Sequence, residues 1–317
     1  MATPNSSFSD IITTSLQGYS GQIADNITNH NALLRQIDRK GNKMVATGRT
    51  IVQEIDFAEN GTVAYYSGAE TLDTTQGEVL TAAEFNYKQL AGTVVINGLE
   101  EIQNSGREAV HNLLKSRITN LERSLRNTVA TGLYAAGTES GGKSIGGLQL
   151  LVADDNTNTV GGISGNTYSF WRNYAYDFST LSITASATTI TTALETAWLN
   201  VIRGTDKPDI ITAGSTYFRY YWDSLLANQR FTDDSGAGAG FTNITFMNCP
   251  VVYDDQCNAT RMYLLNTDFL FLRPAKGREF KPLGDRASVN QDAIVMPVVW
   301  AGNMTVSNRS LQAVICA

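Results

Sequence analysis

Between Thr50 and Tyr87 the chain alternates like a β-ribbon, yet it carries seven carboxylates and no lysine or arginine. On the first run Ile51, Gln53, Ile55 and Phe57 alternate with Val52, Glu54 and Asp56, the two-residue period of a strand with one apolar face. Asn60–Gly61 is a turn signal ahead of Thr62–Tyr66, and a second run, Ala83 to Leu90, alternates Phe85 and Tyr87 with Glu84, Asn86 and Lys88. The pattern predicts a long two-stranded excursion with an irregular tip around Gly68–Gly77. Such a hairpin is marginal in water unless something covers it. Lacking counter-charge of its own, it also needs a basic surface elsewhere, on the same chain or on a neighbour.

The second strong feature is a helix expected over residues 105–136. Ser105 and Glu108 make a capping box. Val110, Leu114, Ile118, Leu121, Leu125, Val129 and Leu133 then form one apolar stripe, and Gly137 is a C-terminal stop. At ~1.5 Å per residue this is a rod on the order of 45 Å long, a spine. Ahead of the ribbon, Ile23, Ile27, Leu33, Leu34 and Ile37 approach a helical period that ends at Arg39-Lys40-Gly41, an amphipathic arm with too little apolar surface to fold alone. After the spine, helices are expected over Thr191–Arg203 and Ser215–Asn228, with a buried strand, Pro208–Ala213, between them. Short strands follow at Val251–Tyr253, Met262–Leu265, Phe269–Leu272, Val295–Trp300 and Gln312–Ile315.

Composition removes several function classes. The net charge is −6, with no basic tail, so a dedicated nucleic-acid binder lacks its clustered cations, although a container holding DNA without gripping it is compatible. Charged residues make up only 17 % against 42 % hydrophobic, which suits a chain that buries surface on partners. The polar start has no apolar signal core, and no run approaches the ~20 apolar residues of a membrane span. His30 and His111 are the only histidines, too few for a histidine-based metal or acid–base centre. Cys249, Cys257 and Cys316 have no metal-like spacing and read as reduced thiols.

One motif competes with a structural reading. Gly137-Thr138-Glu139-Ser140-Gly141-Gly142-Lys143-Ser144 fits the phosphate-binding P-loop pattern. A P-loop follows a strand and opens a helix, so that backbone N–H groups converge on phosphate. Here it follows a long helix, and Ile145-Gly146-Gly147 is a poor helix start; the expected role is a glycine-rich turn. The acidic pairs Glu100–Glu101, Asp233–Asp234 and Asp254–Asp255 are read as solvated turns. No catalytic, cofactor or metal residue is assigned, and no enzymatic activity is expected. Arg273, Lys276, Arg278, Lys281 and Arg286 stand against Glu279 and Asp285, a local charge of +3. That segment, or the cationic face of the spine (Lys115, Arg117, Arg123, Arg126), is the expected receiver of an acidic ribbon. The expected contact set is Glu54, Asp56, Glu59, Glu70 and Asp73 with Arg273, Lys276, Arg278 and Lys281.

The order of arm, long β-excursion, spine helix and mixed α/β remainder resembles the major capsid proteins of tailed bacteriophages. The most specific stretch is Gly161-Gly162-Ile163-Ser164 running through Tyr168-Ser169-Phe170-Trp171-Arg172-Asn173, joined by Lys207-Pro208-Asp209-Ile210-Ile211 and Tyr217 to Phe231. The resemblance covers the chain from about Ala32 to the end. It implies an α+β Hong Kong 97-like fold: an N-terminal arm (1–45), an E-loop with adjoining P-domain strands (46–97), a P-domain with the spine helix (98–186), an A-domain (187–288) and a return to the P-domain (289–317). It further implies a virion shell of pentamers and hexamers around double-stranded DNA, assembled in the bacterial host cytoplasm. Scaffold, portal and decoration proteins are the implied partners, the packaged DNA is contacted non-specifically, and no membrane is involved. Two features depart from the family. Residues 50–87 contain no lysine for the E-loop cross-link that some members make, and residues 1–30 are too short for a long scaffolding segment. The rival readings are an encapsulin-type compartment, which shares the fold, and a P-loop enzyme using Lys143.

Overall fold

The computed structural model describes residues 31–75, 77–103, 113–228, 244–284, 286–287 and 292–317. Its centre is a six-stranded mixed sheet in the order β6-β15-β10-β7-β9-β8. These strands are β6 (Tyr174–Asp177), β7 (Ile210–Ala213), β8 (Thr245–Phe246), β9 (Cys249–Tyr253), β10 (Met262–Leu265) and β15 (Ala313–Cys316). Every residue of β7, β10 and β15 is buried, because the sheet divides two apolar cores and needs hydrophobic side chains on both faces. Along β10, Met262 and Leu264 enter one core while Tyr263 and Leu265 enter the other; on β15, Ala313 and Ile315 oppose Val314 and Cys316 in the same way.

The first of these cores lies under the helices α4 (Thr189–Val201) and α5 (Ser215–Asn228). Ile190, Leu194, Trp198, Tyr217 and Tyr221 there face Phe178 and Val251. Both helices stand within two residues of where their apolar spacing predicts them.

The second core joins the sheet to β14 (Ala293–Val306), a 14-residue strand. It pairs antiparallel with β3 (Lys88–Asn97), from Ala293↔Asn97 to Gly302↔Lys88, and with β11 (Leu270–Pro274), β12 (Lys281–Pro282) and β13 (Arg286–Ala287). The sequence reading found only Val295–Trp300 of this strand. Its far end, Ala301–Gly302–Asn303, is weak in strand propensity, and ten backbone pairs to β3 hold it there. The spine is α3 (Leu113–Gly132); the proposed capping box falls outside the described residues. It lies across β3 at Gly92, where a Cβ would run into Leu121. Arg117 on α3 pairs with Glu100 of the short helix α2 (Gly98–Gln103) at 2.8 Å and donates to Val95 O. The arm helix α1 (Ala32–Lys40) buries Leu33 and Ile37; its N-cap Asn31 accepts from Leu34 N–H, and its end is closed by Gly41 at φ 72°. Lys40 pins it to the body through Asp209 (2.5 Å) and Asp268 (2.7 Å). No described helix is long and apolar enough to cross a membrane.

The ribbon is shorter than its alternation predicts. β1 (Ile51–Asp56) pairs with β2 (Leu80–Phe85), Ile51 opposite Phe85 and Asp56 opposite Leu80. Beyond the Phe57 N–H to Val79 O bond (3.0 Å), no described residue of the loop is in a strand, Thr62–Tyr66 included. The Asn60 side chain takes both the Thr62 N–H (3.1 Å) and its hydroxyl (2.8 Å), a local turn that competes with strand pairing. The second run, Ala83 to Leu90, is two strands rather than one: it breaks at Asn86–Tyr87, where Asn303 donates to Asn86 O (2.9 Å), and β3 leaves to join β14.

Candidate functional site

The ribbon has a root locked to the body and a finger, residues 57–79, that stands free of it. Ile51, Ile55, Ala83 and Phe85 are buried in the second core, while Val52, Glu54 and Asp56 face solvent, as the two-residue period predicts. The root is seated on a two-stranded turn, β4 (Thr159–Val160) with β5 (Ile163–Ser164). Glu84 N–H donates to Gly161 O at 2.9 Å. Gly161 has φ +60°, and a Cβ on it would stand 2.7 Å from the Ala83 Cβ, so only glycine lets the turn touch the ribbon. Phe57 closes the seat against Phe170, ring centroids 5.6 Å apart.

The aromatic stretch singled out in the sequence holds this seat. Trp171 is buried, and its indole N–H donates to Val160 O (3.0 Å). Arg172 donates to Gly165 O and Asn166 O, and Asn173 to Ala153 O (2.8 Å). The residue that unites them was not legible in the sequence. Arg309, in the polar run Ser307–Ser310, is fully buried. Its guanidinium donates to Leu151 O (2.7 Å), Trp171 O (3.0 Å), Asn158 Oδ1 (2.9 Å) and Asn173 Oδ1 (2.9 Å), and lies over the Trp171 ring. Burial pushes its pKa down to about 10. A buried cation held by neutral acceptors is costly to leave unpaired, so this cluster tolerates little rearrangement.

The finger itself is acidic, apolar and uncovered. Val63 is 83 % exposed, Leu72 61 % and Tyr65 fully exposed. Glu54, Asp56, Glu59, Glu70 and Asp73 all face solvent. Glu70 accepts from Ser67 N–H (3.1 Å), and Asp73 from the Thr75 N–H and hydroxyl, which hold its carboxyl below the usual range. Among the described residues no finger carboxylate is ion-paired. Of the expected receiving cations, Arg273 donates to Gln53 Oε1 of its own ribbon (2.7 Å) and lies over Phe271. Lys276, Arg278 and Lys281 are exposed, and Glu279 pairs with Lys43.

The turn with the P-loop spelling does not have a phosphate cradle. It follows α3 rather than a strand, and its N–H groups are spent locally, Gly142 on Thr138 O (3.0 Å) and Lys143 and Ser144 on Glu139 O. The Glu139 carboxylate takes the Ser144 hydroxyl (2.8 Å) and the Ala136 N–H (3.1 Å). Of the acidic pairs, Glu100 is engaged with Arg117, and Asp254 is buried rather than solvated, accepting from the Tyr134 hydroxyl (2.9 Å); Asp233–Asp234 lies outside the described residues. Burial raises the Asp254 carboxyl. No cluster of metal-binding side chains occurs among the described residues, and the three cysteines are buried and free, their thiols pushed up to about 12 by burial.

No protein-family profile matches the chain, and no curated protein matches it in sequence. Solved structures do match its architecture. It is similar to the capsid asymmetric unit of cyanophage A-1(L), with a TM-score of 0.66 and 17 % identity over 95 % of this chain and 96 % of that one. It is similar to the capsid of Myoviridae phage XM1, with a TM-score of 0.56 and 14 % identity over 95 % of this chain and 96 % of that one. It is also similar to the holo-SrpI encapsulin complex of Synechococcus elongatus PCC 7942, with a TM-score of 0.58 and 10 % identity over 100 % of this chain and 96 % of that one. Near-complete coverage in both directions makes this a likeness of whole architectures. The chain carries the α+β Hong Kong 97-like fold, the one seen in phage capsid subunits.

Proposed function

We propose that this chain is the major capsid protein of a tailed bacteriophage, a shell subunit that acts by assembling with copies of itself. The observation that carries the reading is the finger. Val63, Tyr65 and Leu72 project from a ribbon whose root is locked, and their own chain offers no cover. Exposed apolar side chains on a rigidly rooted projection are stabilised by burial on an adjacent copy, and large obligate contacts of this kind tie stability to assembly. The likeness to capsid structures over nearly the whole chain supports the same reading. On it, residues 46–97 serve as the E-loop, 98–186 and 289–317 as the P-domain and 187–288 as the A-domain, with residues 1–45 as an arm.

A contact between the projection of one copy and a different surface of the next is heterologous and closes into rings under rotation. Pentamers and hexamers of an icosahedral head are the expected rings, enclosing double-stranded DNA without a basic tail to grip it. Glu54, Asp56, Glu59, Glu70 and Asp73 meeting Lys276, Arg278 and Lys281 of a neighbour, with Arg273 beside them, are the expected contacts. Scaffold, portal and decoration proteins are the expected partners, and the virion, built in the host cytoplasm, the expected location. The test is negative-stain imaging with native mass measurement of the purified full chain. Rings or closed particles are expected; a monomer at high concentration overturns the reading. The full-length likeness to an encapsulin complex makes a nanocompartment shell the second reading, and the contents of purified particles separate them: nuclease-protected DNA for a phage head, a co-purifying protein for a compartment.

A further inference from the structure

At the opposite end of the ribbon from the finger lies a cleft of about 520 Å³. Lys88, Lys143 and Arg278 bring three cations to it, and Tyr87, Leu90 and Val299 supply apolar wall. No aspartate or glutamate lines it. Lys88 donates to the Gly142 carbonyl, whereas Lys143 and Arg278 are exposed and have no side-chain partner among the described residues. The Gly137–Ser144 turn thus places its lysine beside two other cations, although its N–H groups are not arranged for phosphate.

The geometry points to an occupant: the acidic finger of a second copy of this chain. This rests on the shell-subunit reading and specifies which surface receives the projection. The two surfaces are complementary in charge and in character. The cleft combines cations with apolar wall and has no carboxylate. The finger combines Glu59, Glu70, Asp73 and Glu78 with exposed Val63, Tyr65 and Leu72, and no lysine or arginine occurs anywhere in its ribbon. They also face apart. The finger leaves the paired strands at Asp56 and Leu80, and the cleft begins at Tyr87, beyond the Ile51–Phe85 end. The five residues from Leu80 to Phe85 alone separate them by about 16 Å of strand. The finger therefore projects away from its own cleft, and a neighbour is the occupant that satisfies both. A contact running from the far end of one ribbon to the near end of the next repeats in one direction, as ring closure requires.

The experiment uses two charge-reversed full-length chains. One carries Glu59→Lys, Glu70→Lys and Asp73→Lys; the other carries Lys143→Glu and Arg278→Glu. All five positions are exposed, and circular dichroism with a thermal melt checks that each chain folds. Each variant alone is expected to need a concentration roughly tenfold higher than the parent to assemble, read by light scattering and native mass spectrometry. Mixing the two is expected to restore association, since the basic finger of one then meets the acidic cleft of the other. The five changes combined in one chain are also expected to restore it, which excludes misfolding as the cause of either loss. If the cleft variant assembles like the parent, or if the mixture stays apart while the combined chain recovers, the pairing between copies is overturned and the shell-subunit reading stands. A parent chain that never assembles overturns both.

Discussion

The root and the finger of the ribbon come from one stretch of chain, yet they are held in opposite ways. At the root, alternate side chains enter the core, Gly161 gives a close seat, and the Arg309 cluster fixes the turn beneath it. In the finger the polar groups are satisfied by their own neighbours in sequence, Asn60 with Thr62 and Asp73 with Thr75, while the apolar ones are left in water. The difference teaches that strand periodicity yields a strand only where a second element covers it. The root has that cover within the chain. The finger has the same sequence bias with nothing on top, and local turns win.

Four measurements break or sharpen this contrast. The largest effect is expected at Arg309. Arg309→Met removes four hydrogen bonds and leaves the side chains of Asn158 and Asn173 short of a donor, so a loss of about 3–5 kcal/mol in denaturant unfolding is expected. A change under about 1 kcal/mol shows that the seat is not held as described. Next is Gly161→Val, which places a β-branched residue at φ +60° against Ala83. About 2–3 kcal/mol is expected, with increased proteolysis of the finger, because the root is unseated.

Third, acid is expected to act on the body before the finger. Burial pushes the Asp209 carboxyl up, but hydrogen bonds from Lys40 and Thr267 outweigh it and hold it below its usual value. A carboxylate depressed by folding adds stability that is present above its unfolded pKa of ~3.9 and lost as pH falls through the lower folded value. The pH-dependence of unfolding below pH ~4 is therefore expected to flatten in Lys40→Met; an unchanged curve shows the arm helix is held by its apolar face alone. The smallest effect on stability is expected at the finger: Tyr65→Ala changes the melting of unassembled protein by no more than about 0.5 kcal/mol while lowering the yield of assembled particles. Equal yields show that the finger needs no cover.

Much of the fold was legible because it follows from local periodicity. The buried helices over Thr189–Val201 and Ser215–Asn228 and the strand Met262–Leu265 lie where their spacing predicts. The ribbon root was legible for the same reason. The split between β2 and β3 was not, because Ala83 to Leu90 alternates without interruption and only the partner β14 assigns its two halves to different sheets. Of the candidate site, the finger's acids were visible as a charge count. The cleft was not, since Lys88, Lys143 and Arg278 are far apart in the chain and belong to a strand, a turn and a loop that only folding brings together.

By itself the sequence determined the amphipathic elements, the acidic ribbon without counter-charge and the aromatic stretch beneath it, because these depend on residues three or four apart or on simple charge balance. Only the tertiary structure decided that Arg309 clamps that stretch, that β10 and β15 serve two cores at once, and that the finger and the cationic cleft lie at opposite ends of one ribbon. Those are relations between distant residues. They depend on which backbone groups and apolar faces are left unsatisfied after local structure has formed, and on what the chain then brings to cover them.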